Sequence, residues 1–321
     1  MLHTTRAVPP RPGEMYVTDG GMETHVIFNM GTELPNFSSY VLTDTEEGRQ
    51  VVRDYYQPYI AIARDAGRPF LFDTNTWRAN PDWGARNGHS TTALRRTNID
   101  AVSFYRKLQD EFRQAGVDSV LSGVIGPRRD GWIYDAVMTV AEAETYHGVQ
   151  IAALAEARVD YLSAYTLTNT PEAIGIARAA RAVGLPVVLS FTLETDGNLP
   201  GGKPLGDAIE ETDAATDGYA SYFMLNCVHP IHFASTIRRG GEWIDRIGGL
   251  RANASMKSHA ELDESTELDS GDMRDLAQRY GRLMPALPNL RVVGGCCGTD
   301  HRHIGAICAH VLPAIPGAGN A

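Results

Sequence analysis

The sequence predicts an α/β protein with a (β/α)8 fold, the TIM barrel, in a single domain. Short runs rich in β-branched and aromatic residues alternate with longer stretches of helical periodicity along the chain of 321 residues. These runs number eight, whereas a doubly wound sheet usually stops at about five or six strands. We therefore expect a barrel over residues 16–314, preceded by a flexible extension, residues 1–15, and followed by a C-terminal tail, residues 315–321.

The predicted strands follow one another at a spacing that leaves room for a helix between most of them. In chain order they are YVTDGGMET from Tyr16, PFLFDTNT from Pro69, DSVLSGVIG from Asp118, VDYLSAYT from Val159, PVVLSFTL from Pro186, YFMLNC from Tyr222, IGGLRANA from Ile247 and LRVVGGCC from Leu290. Polar residues and cysteines stand at the ends of several runs, where the active-site loops of a barrel begin.

Helices are predicted between the strands, and several begin after a Ser, Thr or Asp residue that can cap the first turn. The clearest segments are residues 43–66, 90–115, 139–157, 171–183 and 272–283. Pro171 stands where a first-turn proline is favoured. Two long polar segments, residues 192–208 and 257–272, are interpreted as barrel loops rather than domain linkers. For the acidic second segment, a solvated loop without a function is an equally good interpretation.

Composition limits the classes of partner. The formal net charge is −10, and nucleic acids and anionic membranes require basic surfaces, so neither is expected. No apolar run has the length of a membrane span, and the N-terminal residues lack the apolar core of a secretory signal. We therefore expect a cytoplasmic protein that acts on small molecules. The sequence leaves its oligomeric state open.

Three of the four cysteines stand at predicted strand ends: Cys227 ends the sixth strand, and Cys296 and Cys297 end the eighth. Because the carboxyl ends of all strands meet at one face of a parallel barrel, the three sulfurs are expected to converge there. Three thiolates favour zinc or a cuprous ion, of which zinc is the commoner, and leave an open coordination position as in catalytic sites. The alternative is a set of small buried residues at the barrel rim, which is how we interpret Cys308 in the last predicted helix.

Neighbouring side chains of a regular strand point to opposite faces, so two adjacent metal ligands require the chain to leave the pleat. Gly294, Gly295 and Gly298 are expected to permit that bend. A fourth protein ligand would close the site, so four nearby histidines are expected in first helical turns rather than on the metal. These are His229, His232, His301 and His303.

A site of this kind suits chemistry at sulfur. A substrate thiol bound at the open position would be a thiolate, because metal ligands are deprotonated. Three protein thiolates already cancel the charge of a zinc ion, so the bound thiolate would remain nucleophilic. Alkyl transfer to sulfur is therefore favoured over hydrolysis, which requires a more electrophilic zinc and an activated water.

A series of sequence motifs occurs in the order found in one known family. The motifs are DGGMET, DTNT, SFTLETDGNLPGG, LNC followed by HP, ANA and GGCCGT. On these motifs the chain resembles the zinc-dependent homocysteine S-methyltransferases from about Tyr16 to Ile307, and the pairing of NC with GGCCGT is the most specific part. The resemblance implies a (β/α)8 barrel, zinc held by Cys227, Cys296 and Cys297, and methylation of homocysteine to methionine.

The resemblance also assigns residues to substrate binding. It implies that Asp19 contacts homocysteine, with Gly20 and Gly21 allowing close approach of the backbone. It further implies that Asn253, after the seventh strand, reaches the zinc or the substrate.

Three other positions bear on the acceptor. Asn75 and Asn226 at strand ends are candidates for substrate binding, although either would equally serve to tie loops together. Tyr165 stands where members that use homocysteine have a glutamate that binds the amino group, and Glu172 lies too far along the chain to replace it. The acceptor is then either another thiol or homocysteine held in a different way.

The expected donor follows from the resemblance and the chain length. Only 24 residues follow Cys297, so neither a cobalamin or folate module nor a dimerisation arm is expected there. The resemblance then favours a sulfonium donor, S-methylmethionine or S-adenosylmethionine. Aromatic residues in the expected mouth loops would suit a cation, although such residues more often pack in a core or rim. They are Phe28, Phe37, Tyr40 and Trp77.

The function expected from the sequence is therefore that of a zinc-dependent S-methyltransferase in methionine biosynthesis. One alternative is a methyltransferase for a different thiol, and another is a non-catalytic relative that binds zinc or a thiol. A hydrolase on the same barrel is disfavoured, because the first strand ends in Asp-Gly-Gly without paired histidines.

Overall fold

The barrel predicted from the sequence is present. The computed structural model describes residues 14–131, 134–135 and 137–312. It contains a closed barrel of eight parallel strands in which each strand pairs with its neighbours in the chain and the last pairs with the first. Residues 1–13 of the predicted extension, residues 313–314 of the predicted barrel and the predicted tail lie outside the described residues.

Every strand coincides with a predicted run. The strands are β1 (Tyr16–Val17), β2 (Phe70–Asp73), β3 (Ser119–Ile125), β4 (Tyr161–Leu167), β5 (Val187–Phe191), β6 (Phe223–Asn226), β7 (Ile247–Ala252) and β8 (Val292–Gly295). β1 is much shorter than its run suggests, because the glycines that follow favour a loop and a helix begins at Met22. Its two residues still close the barrel, since Val17 pairs with Phe70 on one side and Val293 on the other.

The α-helices of the described residues lie mostly between successive strands. They are α1 (Met22–Phe28), α2 (Glu46–Asp65), α3 (Pro81–Arg86), α4 (Thr91–Gln114), α5 (Val140–Glu156), α6 (Thr170–Ala182), α7 (Leu205–Thr216), α8 (Pro230–Arg239), α9 (His259–Asp263), α10 (Met273–Leu283) and α11 (His301–Val311). The segments predicted as helices match α2, α4, α5, α6 and α10. Ser90, Thr139 and Asp272 cap α4, α5 and α10 through their side chains, and Pro171 lies in the first turn of α6.

Two segments predicted as loops contain helical structure. Residues 192–208 run into α7, which begins at Leu205, and the acidic residues 257–272 contain the short helix α9. The start of α9 depends on a capping box, in which the Ser258 hydroxyl accepts a hydrogen bond from the backbone N–H of Glu261. Capping, rather than apolar periodicity, therefore favours this helix.

Apolar side chains form two layers around the strands. The larger cluster lies between the strands and the helices. The smaller cluster is contributed almost entirely by strand residues and includes Tyr165 of β4. Among the described residues, no helix combines the length and apolar character needed to span a bilayer.

Candidate metal centre and active site

Three cysteine thiols meet at the carboxyl-terminal mouth of the barrel. Cys227 directly follows β6, and Cys296 and Cys297 directly follow β8. Their sulfurs all lie within 4.8 Å of one another, and the Sγ atoms of Cys227 and Cys297 are 3.5 Å apart. Within the described ranges of the chain, no other group of three or more His, Cys, Asp or Glu side chains offers a comparable set of metal ligands.

The backbone reaches this arrangement through left-handed residues. Cys227 has a φ of 59°, a conformation that is uncommon for a residue with a side chain, and Gly298 has a φ of 78°. The carbonyl oxygen of Cys227 accepts hydrogen bonds from Asn253 Nδ2 at 3.1 Å and from the His259 ring at 2.6 Å. These two hydrogen bonds fix the peptide that follows Cys227.

The bend predicted for all three neighbouring glycines is found only after β8, so this prediction was partly wrong. Gly294 and Gly295 remain in the strand, and they are required by close packing instead. A Cβ atom on Gly294 would lie 2.3 Å from Cγ2 of Thr18, and one on Gly295 would lie 2.1 Å from Oγ1 of Thr299. Of the three glycines, only Gly298 has the left-handed conformation.

Gly20 and Gly21 bring the loop after β1 against the cysteine segment. A Cβ atom on Gly20 would lie 2.7 Å from the carbonyl oxygen of Thr299, and one on Gly21 would lie 2.5 Å from that of Cys296. The close backbone approach predicted at these glycines is therefore made to the segment that carries the sulfurs.

Hydrogen bonds among the three thiols separate their proton affinities. The hydrogen bonds from Cys227 and Cys297 lower the pKa of Cys296 well below its usual value, and the positive charge of Arg251 acts in the same direction. By contrast, the hydrogen bonds that Cys227 forms with the other two thiols raise the pKa of Cys227. The hydrogen bonds among the thiols and the Arg251 charge therefore favour a thiolate within this group, and the thiolate is the form of cysteine that binds metals.

The sulfurs form part of the wall of a cavity that is partly open to solvent. Most of the predicted substrate-binding residues line this cavity, namely Asp19, Gly20, Gly21, Asn75, Tyr165 and Asn226. The remaining one, Asn253, lines a neighbouring cavity that shares Cys227 and Cys297 with the first. The structure thus brings all the predicted residues to the same mouth of the barrel.

Asp19 is held by a buried arginine that sequence reasoning missed. Arg251 of β7 forms ion pairs with Asp19, at 2.5 Å between Nη2 and Oδ1, and with Asp73 at the end of β2. Its other N–H groups donate to Thr18 Oγ1 and to the carbonyl oxygens of Gly20 and Gly295. A charged residue inside a strand buried on both faces was the available signal, because such a charge requires partners.

Tyr165 contacts the same network. Its hydroxyl donates a 2.9 Å hydrogen bond to Oδ2 of Asp73, and the Arg251 guanidinium lies 5.3 Å from the centre of its ring. Burial raises the pKa of Asp73 to about 6, against the opposing effect of the Arg251 charge. Tyr165 therefore serves as a hydrogen-bond donor to a carboxylate and carries no charge of its own to the cavity.

The three asparagines differ in their contacts. Asn226 Oδ1 accepts hydrogen bonds from the backbone N–H of Thr166 at 2.9 Å and from Ser190 Oγ at 2.6 Å, so Asn226 ties β4, β5 and β6 together. The side-chain nitrogen of Asn75 donates to a backbone carbonyl in the loop after α1. The Oδ1 atoms of Asn75 and Asn253 are buried and accept no hydrogen bond from a described residue. These two oxygens are available acceptors at the two cavities.

The histidines near the cysteines serve local structure. His229 caps α8 by accepting from the backbone N–H of Ile231, and His303 forms hydrogen bonds with Asp300 and with the backbone of Ser270. Neither histidine belongs to the group of side chains that could hold a metal ion, which consists of the three cysteines.

Two further residues lie apart from the sulfurs. Cys308 is buried in α11, where burial raises its pKa to about 12. Glu172 is paired with His147 at 2.9 Å and accepts the backbone N–H of Arg128 at 2.8 Å. It is thus committed to other contacts, in agreement with the sequence-based view that it does not replace a substrate-binding glutamate.

The aromatic residues expected near the mouth are only partly available. Phe37 lines both cavities, and Trp77 lines the first. The guanidinium of Arg78 already lies over both rings, at 5.7 Å from the centre of Phe37 and 4.9 Å from that of Trp77. Phe28 lines the second cavity, whereas Tyr40 is fully buried and lines neither.

Comparison with known proteins agrees with this architecture. The chain is 23% identical to the S-methylmethionine–homocysteine S-methyltransferase of Rattus norvegicus, over 94% of this chain and 79% of the relative. It is 24% identical to the homocysteine S-methyltransferase of Escherichia coli K12, over 92% of this chain and 95% of the relative.

Solved structures show the same fold. The metallated form of the E. coli homocysteine methyltransferase MmuM superposes with a TM-score of 0.72 at 22% identity, covering 93% of this chain and 96% of that one. The oxidized form of the same enzyme gives a TM-score of 0.73 at 21% identity, covering 96% of this chain and 99% of that one.

The family assignment rests on a match over nearly the whole described chain. The model of the family described as homocysteine S-methyltransferase matches residues 16–311, from β1 to the end of α11. The enzyme class expected from the sequence, a methyltransferase, is confirmed at this level. The chain belongs to the homocysteine S-methyltransferase family.

Proposed function

We propose that this protein transfers a methyl group from a sulfonium donor, S-methylmethionine or S-adenosylmethionine, to the thiol of homocysteine, giving methionine. The observation that carries the proposal is the set of three converging thiols in the wall of a cavity at the mouth of the barrel. The names of the rat and E. coli relatives support homocysteine as acceptor, and that of the rat enzyme supports S-methylmethionine as donor. A cytoplasmic location is part of the proposal, because thiols remain reduced there.

Zinc is the metal that we propose for the three thiols. Two sulfurs at about 2.3 Å from one zinc ion lie about 3.8 Å apart when the geometry is tetrahedral. The sulfurs here lie within 4.8 Å of one another, with one pair at 3.5 Å, which is near that spacing. Cys227, Cys296 and Cys297 would hold the ion. When bound, zinc would hold the acceptor sulfur as a thiolate at neutral pH.

The residues of the chain would orient the reactants. Arg251 fixes Asp19 and Asp73 in one wall of the cavity, and Asn226 fixes the strand end that carries Cys227. In the reaction, a lone pair of the acceptor sulfur forms the new bond to the methyl carbon. The bond between that carbon and the donor sulfur breaks, and its electron pair leaves the donor as a neutral thioether. Binding of both reactants in one cavity would favour alignment of the three reacting atoms.

One structural feature supports an alternative acceptor. Tyr165 lies in the cavity wall with its hydroxyl bonded to Asp73, so it supplies no negative charge for an amino group. A thiol other than homocysteine, or a protein that binds zinc and a thiol without catalysis, is the second candidate.

A turnover assay by mass spectrometry tests the proposal. Zinc-loaded protein is supplied with homocysteine and either sulfonium donor, and methionine is measured. We expect methionine from the wild type and from Cys308→Ala, whose sulfur lies outside the group, but not from Cys297→Ala. Absence of methionine from the wild type, with stoichiometric zinc confirmed, would contradict the proposed transfer from a sulfonium donor to homocysteine.

A further inference from the structure

The charges of the sulfur cavity do not balance. Three carboxylates line it, those of Asp19, Glu23 and Asp73, and the only Lys or Arg among its described lining residues is Arg251. Arg251 forms ion pairs with Asp19 and Asp73. Glu23 forms no ion pair with a described Lys, Arg or His residue; a cation that acts on it, Arg78, is itself paired with Asp130.

Glu23 is nevertheless held in one orientation. It lies in the first turn of α1, and its Oε1 accepts a 2.6 Å hydrogen bond from the hydroxyl of Ser39. Ser39 is itself fixed, since its carbonyl oxygen accepts a 2.7 Å hydrogen bond from Asn75 Nδ2. The side chain lines the cavity, and Ser39 is the only described side chain that donates a hydrogen bond to it, so the carboxylate keeps the capacity to accept from a ligand.

The electrostatic environment of Glu23 favours a cation. Burial raises the pKa of Glu23, and the negative charges of Cys296 and Asp19 act in the same direction, against the hydrogen bond from Ser39. An ammonium group beside this carboxylate would offset the cost of its burial and form a charge-assisted hydrogen bond. The sulfonium centre of a donor has no N–H group to offer this carboxylate, so within the donor only its own ammonium group could compete for it.

We propose that Glu23 binds the ammonium group of the acceptor, so that the cavity selects a thiol that carries an ammonium on the same short chain. The statement that the acceptor is a thiol bound at the three cysteines rests on the proposed function. In this arrangement the acceptor sulfur lies at the three cysteines and its amino group lies at α1. Glu23 then supplies the negative charge that Tyr165 does not.

Two acceptors that differ only in the amino group test the assignment. Homocysteine and 4-mercaptobutanoate share the thiol, the chain length and the carboxylate. For wild type we expect a preference for homocysteine. For Glu23→Gln, which keeps the shape and the Ser39 contact, we expect kcat/KM with homocysteine to fall by roughly 10- to 100-fold, mainly through KM, with little change for 4-mercaptobutanoate.

Three further comparisons complete the experiment. Ser39→Ala should lower the same preference by a smaller factor, since the carboxylate is then less well oriented. Glu47→Gln, on the exposed first turn of α2, is the matched control and should leave the preference unchanged. Calorimetric titration of zinc-loaded protein with homocysteine, without donor, should show weaker binding to Glu23→Gln by a similar factor.

Other outcomes would overturn the assignment. An equal loss with both acceptors would give Glu23 only a structural role, and a change confined to the KM of the donor would place the ammonium of the donor there instead. A wild type that methylates both thiols equally well would also contradict it. If the wild type methylates neither thiol, the proposed function fails, and the calorimetric comparison still decides whether Glu23 binds the ammonium group.

Discussion

Arg251 is a charged side chain near the carboxyl end of a strand whose residues are all buried. It connects Asp19 of the first loop with Asp73 of the second strand, and both carboxylates face the sulfur cavity. A buried ion pair adds little net stability by itself, but loss of one partner leaves the other charge unpaired in a medium of low dielectric. The Arg251 side chain is therefore expected to be essential for the wall of the cavity.

We predict that Arg251→Met lowers the free energy of unfolding by about 3–5 kcal/mol, because Asp19 and Asp73 are left buried without a cation. Denaturation by urea, followed by circular dichroism, measures this change. The matched control is Arg95→Met, which removes an exposed ion pair with Glu156 and should cost less than about 1 kcal/mol. Equal effects of the two substitutions would contradict the role given to Arg251.

Asp73 makes stability depend on pH in a defined direction. Its pKa is raised from 3.8 to about 6, chiefly by burial, so between about pH 4 and pH 6 the folded protein binds a proton that the unfolded chain releases. The contribution of this group to stability therefore falls as pH rises through that range.

For Asp73→Asn this dependence disappears. The unfolding free energy of the variant minus that of the wild type should rise by about 2 kcal/mol from pH 4 to pH 6, because a shift of roughly two pKa units is only partly expressed within that range. Urea denaturation at several pH values measures the difference, in which the other titrating groups cancel. Parallel pH profiles for the two proteins would show that Asp73 titrates normally.

For individual residues, the sequence was informative only where the type and position of a residue indicated its function. The three cysteines stand out by type and by position at strand ends, and they do converge. Arg251 carried a signal as a charge within a buried strand, but its partners, and the role of Glu23, depend on which distant side chains surround them. Arg251 pairs with a residue 232 positions away, and no local pattern encodes that contact.

Secondary structure was predictable where its signals are local. Ser90, Thr139 and Asp272 cap their helices through side chains, and the starts of α4, α5 and α10 were predicted correctly. The short β1 was not, because a two-residue strand is defined by its partners β2 and β8 rather than by its own sequence. The packing of Gly294 was also missed, since it depends on the neighbouring strand β1.

We predict that Gly294→Ala destabilises the seam between β8 and β1. The added Cβ would lie 2.3 Å from Cγ2 of Thr18 and 3.0 Å from the carbonyl oxygen of Asp19, and overpacking of this kind costs about 1–3 kcal/mol. Thr18→Ser removes the closer atom but keeps the hydroxyl that accepts from Arg251, so the double variant should recover at least half of the loss.

The unfolding free energies of the single and double variants measure this coupling. Gly148→Ala in α5 is the control, because no atom lies within 4 Å of its added Cβ, and it should stabilise the helix by up to about 1 kcal/mol. Additive effects of Gly294→Ala and Thr18→Ser would contradict the proposed contact.

In the whole barrel, the three cysteines lie at the ends of two strands that are not neighbours. Cys227 follows β6 and the pair follows β8, with β7 between them. Backbone hydrogen bonds already link these strand ends, from Cys227 N–H to Arg251 and from Cys296 N–H to Ala252. A metal held by all three sulfurs would therefore brace one end of the barrel and leave the opposite end untouched.

Removal of zinc is expected to loosen only the mouth of the barrel. Ligands that bind the folded state suppress local openings in which their site is lost. In the first minutes of hydrogen exchange, chelator-treated protein should exchange faster than zinc-loaded protein in residues 226–229, 252–255 and 295–299. The beginnings of β2 and β3, at the other end of the barrel, should exchange at the same rate with and without zinc. In Cys297→Ala, the mouth segments should also exchange at the same rate with and without zinc. Cys308→Ala should respond as the wild type does. If the mouth segments of the wild type exchange at the same rate with and without zinc, the three thiols do not bind one shared metal ion.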